Sequence, residues 1–533
     1  MRNLSCVLGC ALLICWQSSA VAAECQLWQG EAAELEGKTI GSVTVDANDI
    51  FNTALQDESR WIHRVANQLH YETRRETVAR QLLFSVGDSF SQRVLQESER
   101  LLRSKPYLAS ADIRVLQVCD DEVWIRVRTA DTWSTIPEIS LSRVAGENQR
   151  TISLEENNLL GLGQELAFSY DNELGRVSRA LKYTHNDWAG RRQLLSFELQ
   201  NNEDGERYQL ALSKPYLSLT DSYSWNISGF FDKQAVTLYE DGEISETMGR
   251  EQRYLDLNRS LSSGLKNGLL DRWTVGLRID ERSFYRVDDT VSDSLFDNRR
   301  DRYPYVRLDH IKENYVEMQH IRQLTGIEDI NLGTQYGVEL GYNARAWGAD
   351  DDALVINLSH QRGRRWKQQS LLLANSWASA HLISGQFQQL GFGALGQLHT
   401  RLSERDQFFL ELMFDSTHDM PEEQQLAIGG DSGLRGYPYK EQTGNRLLRM
   451  STELRHYPDW HPLHLVRFGA AVFADYGSVW NAGGESPEWL WDLGVGLRLG
   501  SSRSSSGRVL HLDLALPEGQ GSAQWTATAK THF

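Results

Sequence analysis

The sequence predicts a mainly β protein: a transmembrane antiparallel β-barrel of sixteen strands, preceded by one small α+β domain. Three observations predict it. Beyond about residue 132, helical periodicity gives way to alternation of apolar with polar or small residues, the period of a strand with two unlike faces. The chain carries 16 Trp, 19 Tyr and 42 Gly beside only 10 Pro, and Trp and Tyr favour membrane–water interfaces. Residues 1–23 read as an export signal. The negative mean hydropathy does not oppose a membrane barrel, because lumen-facing and lipid-facing residues alternate and average out.

The signal is read from Arg2 as its only charge, an apolar run from Val7 to Cys15, and small residues at Ala20-Val21-Ala22-Ala23. Of five cysteines, Cys6, Cys10 and Cys15 would leave with it. Cys25 and Cys119 then remain in an oxidising compartment, either as a disulfide or as two free thiols. A formal charge of −17 argues against a nucleic-acid partner, which wants a basic face. Apart from the signal, no apolar run reaches the 18 residues of a spanning helix.

Residues 38–131 show mixed patterning. Ile40, Val43 and Val45 mark a strand. Trp61, Val65 and Leu69 fall at i, i+4, i+8 of a first helix, and Val78, Leu82 and Leu83 mark a second. Ser89-Phe90-Ser91-Gln92 is a capping-box candidate for a third helix, with Val94, Leu95, Leu101 and Leu102 as its apolar face. Two strands follow, through Ile113, Val115 and Val118, then Val123, Ile125 and Val127.

Residues 132–533 alternate. Phe408, Leu410, Leu412 and Phe414 interleave with Phe409, Glu411 and Met413; Leu493, Val495, Leu497 and Leu499 interleave with Asp492, Gly494, Gly496 and Arg498; Leu510, Leu512, Leu514 and Leu516 interleave with His511, Asp513 and Ala515. Closure leaves no strand edge unpaired, which a membrane demands. Sixteen strands allow about 25 residues per strand and connection, although strand-like segments number closer to 18 or 20 on direct inspection. The stretches Asp232–Arg250 and Asp288–Arg302 read as extracellular loops, and Lys214–Asp221 and Ser262–Leu270 as short connections. The first strand is expected at about Ile136–Arg143 and the last at about Ala523–Phe533.

Within this region Gly429-Gly430-Asp431-Ser432-Gly433-Leu434-Arg435-Gly436-Tyr437 stands out. Four glycines in eight residues suit a loop (about 416–444) folded into a confined interior. Its one arginine, Arg435, would then seek a carboxylate, since a planar guanidinium makes paired hydrogen bonds to one.

Leu83-Phe84-Ser85-Val86-Gly87-Asp88-Ser89-Phe90-Ser91, Glu99-Arg100-Leu101-Leu102-Arg103 and Tyr107-Leu108-Ala109-Ser110-Ala111 together resemble the polypeptide-transport-associated (POTRA) domain. With the Gly-rich loop, Glu453-Leu454-Arg455, Phe473-Ala474-Asp475-Tyr476-Gly477 and Asn158-Leu159-Leu160-Gly161-Leu162-Gly163, the chain resembles the BamA/TamA/FhaC superfamily of outer-membrane insertases and protein translocators. The resemblance implies a Gram-negative outer-membrane protein with its POTRA domain in the periplasm. It implies a surface-antigen type barrel that inserts or translocates client polypeptides, with lipids and periplasmic accessory proteins as further partners. It implies that Arg435, Gly436 and Tyr437 form the tip of a lumenal loop, latched on Asp475 and Glu453, and that the terminal Phe533 is a barrel signal at the seam. Two-partner secretion transporters usually carry two POTRA domains and a plug helix, and insertases carry more POTRA domains still. This chain departs from both, so export of a single exoprotein stands as an alternative, as does a passive channel or adhesin.

No enzyme is expected. Gly430-Asp431-Ser432-Gly433 imitates a serine-protease nucleophile loop, but no segment offers a matching histidine and carboxylate. The 14 histidines show no HExxH spacing, Cys25 and Cys119 are too isolated for a zinc site, and Gly161-Leu162-Gly163 lacks the third glycine of a dinucleotide loop. Neither metal nor cofactor is expected.

Overall fold

The computed structural model describes residues 25–30, 32–144, 147–173, 176–240, 242–287, 296–321, 324, 327–367, 369–484, 486–504, 509–519 and 521–530. The signal segment 1–23, the terminal Phe533 and part of the expected loop Asp288–Arg302 lie outside the described residues.

The N-terminal domain contains strands β1 (Cys25–Leu27), β2 (Thr39–Asn48), β3 (Leu108–Cys119) and β4 (Glu122–Asp131), with helices α1 (Trp61–Leu69), α2 (Arg75–Gln81) and α3 (Gln92–Arg103) between β2 and β3. The sheet order is β1-β3-β4-β2. β2 runs parallel to β4, and β3 runs antiparallel to both β4 and β1. The alternate residues Val123, Ile125 and Val127 are buried against Val78 and Leu82 of the α2 region and Leu95 and Leu102 of α3. Each such side chain contributes about 1.5–3 kcal/mol when fully buried. Cys25 and Cys119 face each other in the β1–β3 register and are joined by a disulfide.

Two local expectations need correction. The third helix begins at Gln92, and its N-cap Ser91 makes no side-chain capping bond. The Gln92 amide instead donates to Glu36 Oε1 at 2.9 Å, a carboxylate 56 residues away; a distant acid does the work the local capping box was expected to do. In α1 the stripe Trp61, Val65 and Leu69 is 69%, 38% and 68% exposed. The helix packs by its polar side: His63 stacks on Phe51 at 4.4 Å and Asn67 exchanges hydrogen bonds with the Phe51 backbone. Periodicity reveals a stripe but not which side the fold covers.

Beyond Asp131, twenty strands among the described residues close into one barrel. Each pairs antiparallel with its neighbour in the chain, and the last (Gln524–Lys530) meets the first, β5 (Thr135–Val144). The expected count of sixteen is too low. Connections such as Glu203-Asp204 and Ser384-Gly385 are only two residues long, which shortens the repeat per strand. Asp232–Arg250 is likewise no loop. It forms the paired ends of Tyr223–Glu240 and Glu243–Ser262, with Lys233 opposite Glu251. Its polarity belongs to a ladder that continues as a two-stranded extension.

Inward and outward faces follow the alternation. Leu454, Val472, Val495 and Leu514 are about half exposed on the outer surface, whereas Glu453, Phe473, Arg498 and Asp513 are buried in the lumen. The N-terminal domain lies across one mouth of the barrel. Arg74 and Thr77 bond the carbonyls of Leu160 and Gly161, and Asn158 donates to Thr73 Oγ1 at 2.9 Å. Gly161 and Gly163 both have positive φ (74° and 64°), and a Cβ at Gly163 would strike the Tyr107 ring. The Asn158–Gly163 motif is therefore a docking turn. His63 Nε2 meets the Leu463 carbonyl at 2.9 Å, and Arg503 bonds Ile50 O and Glu58.

Candidate functional site: the lumenal arginine cluster

The connection between Asp406–His418 and Arg446–His456 turns back into the barrel, narrowed by a short ladder of Leu426–Ile428 with Gln442–Gly444. Its glycines permit the fold. Gly429 and Gly433 have φ of 119° and 132°, where a side chain is strained, and Cβ atoms there would collide with Pro438 O and with the Arg449 side chain. Ile428, Leu434 and Tyr437 pack on wall residues Leu447 and Val479, fixing the loop against one side.

Arg435 is thereby pressed onto the inner wall. Its Nε and Nη2 donate to the two oxygens of Asp475 at 2.7 and 2.8 Å, and Nη1 donates to Glu453 Oε1 at 2.8 Å. Asp513 Oδ2 accepts from Nη1 at 3.3 Å and Ser451 Oγ accepts from Nη2 at 3.2 Å. The guanidinium carbon sits 3.4 Å from the Phe473 ring centroid, a cation–π contact. Gly436 N donates to Asp492 Oδ2 at 2.9 Å and Tyr437 Oη to Trp491 O at 3.1 Å. A Cβ at Gly436 would lie 3.0 Å from Asp492 Cβ and 3.1 Å from Pro517.

Behind the tip the charges continue. Arg455 donates to Glu453 Oε2 at 2.7 Å, and Arg498 bonds both Asp513 and Glu453. Three guanidinium groups thus face Glu453, Asp475 and Asp513, while a fourth buried carboxylate, Asp492, takes the Gly436 amide as its donor. Inward-facing Gly494 and Gly496 leave room for the Phe473 ring and the Asp513–Arg498 pair.

All five loop-latch residues identified in the sequence meet in this cluster. Asp513, Asp492, Arg498 and Ser451 were not singled out. Asp513 carried a readable signal, an acid at the lumenal position of Leu512-Asp513-Leu514. Cys25 and Cys119 lie in the N-terminal domain, away from the cluster. Elsewhere the lumen holds a polar cavity of about 820 Å³ lined by Asp256, Arg278, Tyr305, Arg307, Glu339 and Asn375. There Arg278 bridges Asp256 and Glu339 at 3.1 and 2.7 Å. Among the described residues no cluster of potential metal ligands is present.

The family model of haemolysin secretion/activation proteins ShlB/FhaC/HecB matches residues 309–499, a span holding Arg435, Glu453 and Asp475. The chain resembles the BamA/TamA/FhaC superfamily of outer-membrane barrels. Similar solved structures include CdiB from Escherichia coli, at 14% identity and a TM-score of 0.47 over 95% of this chain and 80% of that one. CdiB from Acinetobacter baumannii matches at 12% and 0.43, over 92% and 73%. BamA from Haemophilus ducreyi lacking POTRA domains 1–3 matches at 12% and 0.37, over 92% and 83%. No curated protein matches the sequence. Arg435, Glu453 and Asp475 of the lumenal cluster thus lie within the stretch that the family model covers.

Proposed function

We propose that this protein exports polypeptide across the Gram-negative outer membrane through its lumen, with the N-terminal domain in the periplasm receiving the client. The observation that carries the reading is the Arg435 loop, a removable tip hydrogen-bonded to the inner wall of a polar barrel rather than built into its ladder. Such a plug closes the pore at rest and yields when a client competes for the wall. The match to haemolysin secretion/activation proteins favours a dedicated secretion client over general barrel insertion. In the N-terminal domain, β1 covers Gln117–Cys119 of β3, and Trp28 N adds a bond to Leu116 O. An extended client can add to the remaining β3 edge by main-chain pairing.

Photocrosslinking in cells tests this, with probes at Asn375 in the lumen, along the β3 edge and at the β5 seam. Capture of one exported chain at the lumen supports the proposal. Capture of many barrel precursors at the seam would make the protein an insertase, and capture of neither would leave a passive channel.

A further inference from the structure

Between the barrel strands Arg299–Lys312 and Gln335–Asn343, the described residues 313–321, 324 and 327–334 include an inner hairpin of Tyr315–Met318 with Glu328–Asn331. It does not extend the barrel ladder. Its Ile321, Ile330 and Leu332 pack with Val316 and Met318 on Leu371 and Leu373, which face the lumen. Leu324 reaches other wall strands, packing on Val509 and Tyr457. His320 stacks on Tyr457 at 5.3 Å, and its carbonyl accepts from Gln407 at 3.1 Å. The wall is shaped for this insertion. A Cβ at Gly363 would come within 2.5 Å of Leu332, and one at Gly500 within 2.5 Å of Leu324.

The outer side of the hairpin is held by α3. Arg103 grips Asp329 with two hydrogen bonds, 2.9 and 2.8 Å, and reaches Glu317 at 3.1 Å. Arg93 donates to Glu313 at 2.6 Å, and Arg100 lies 4.6 Å over the Tyr315 ring. These three arginines share one face of the helix, at i, i+7 and i+10.

From this arrangement we infer that the hairpin is a second gate, closing the domain-side mouth of the lumen, and that α3 controls it through the Arg103–Asp329 pair. The inference rests on the export reading above. Both hairpin ends are anchored at the barrel rim, where Lys312 N bonds Thr334 O at 2.9 Å. The hairpin can therefore swing out without breaking a barrel ladder. Its hold on α3 is polar: Arg103 and Asp329 are a largely buried pair, 11% and 15% exposed at their side chains, with the 60% exposed Glu317 at the solvent edge, so a client carboxylate that takes over Arg103 replaces the hold without leaving that charge unpaired. A client that shifts α3 thus releases the domain-side gate, while the Arg435 loop closes the other mouth.

The test uses the full chain in liposomes with the N-terminal domain outward. A cysteine placed by Asn375→Cys, one inward position beyond Leu373, reports entry of a bulky membrane-impermeant maleimide; Cys25 and Cys119 are bonded and silent, and Cys6, Cys10 and Cys15 are replaced by serine. Labelling should be slow in this background and about 5–150-fold faster with Arg103→Glu, the range of a typical coupling between two sites. It should slow again when Asp329→Arg is added. Replacing residues 314–331 by a short Gly-Ser turn should label at least as fast as the single reversal. Parental rates in both the reversal and the shortened variant overturn the gate, as does fast labelling before either change. Client crosslinking is scored separately. Rates that respond without any captured client sink only the export reading, whereas a captured client with unresponsive rates sinks only the gate.

Discussion

Removing the Arg435 side chain is the most informative single perturbation. Arg435→Ala deletes five hydrogen bonds and a cation–π contact, but their loss is not evenly felt. Glu453 keeps Arg455 at 2.7 Å, and Asp513 keeps Arg498. Asp475 keeps no cation among these partners: Ser451 Oγ donates to it at 2.6 Å, its other close neighbour is the buried carboxyl of Asp492, and its side chain is fully buried. Breaking a buried ion pair from one side costs about 3–5 kcal/mol, because the remaining charge is left uncompensated. Most of that cost therefore belongs to Asp475. Adding Asp475→Asn should return part of it, since a neutral amide has no charge left to neutralise. Arg435→Lys should fall between, as an ammonium cannot bridge Asp475 bidentately and still reach Glu453. The assay is urea unfolding of the folded barrel in detergent micelles, followed by tryptophan fluorescence, alongside protease cleavage of the 419–445 loop. An Arg435→Ala protein that unfolds within about 0.5 kcal/mol of the parent, the size of an ordinary surface change, and keeps its loop protected would refute the reasoning.

Three further outcomes are expected. Gly436→Ala should cost about 1–3 kcal/mol by overpacking against Asp492 and Pro517, and should speed cleavage of the same loop without altering the charges. Replacing Cys25 and Cys119 with serine removes a crosslink spanning 94 residues. The full chain should lose about 2–5 kcal/mol, read as earlier thermal exposure of the N-terminal domain to protease. Burial holds the Lys105 ammonium down to about 8, with Asp187 opposing the shift. Between pH 8 and the ordinary lysine range near about 10.4, the unfolded chain binds the proton that the folded one has released. Stability should thus rise with pH across that window; Lys105→Met should flatten the rise in thermal midpoint, and an unchanged slope would count against it.

Much of this molecule was legible from local pattern, because alternation with period two assigns each strand residue to a face regardless of its neighbours. That Glu453 shares a face with Arg455, and Phe473 with Asp475, follows from that alone, while the helix–strand order of the N-terminal domain follows from the change between helical and strand periodicity. The glycines at 429, 430 and 433 announce a tightly folded loop, because few other residues tolerate such backbone angles, and Arg435 announces an acidic receptor. Neither alternation nor composition determines how many strands close the ring, because short two-residue turns and long paired extensions change the repeat without changing the pattern. Closure and register alone bring Asp513 across to Arg435, some 78 residues later in sequence. They also turn the hairpin of Tyr315–Met318 with Glu328–Asn331, unremarked in the sequence, into the lumen. The exposed stripe of α1 shows the same limit from the other side: the sequence determines that a face is apolar, and only the tertiary structure decides what, if anything, covers it.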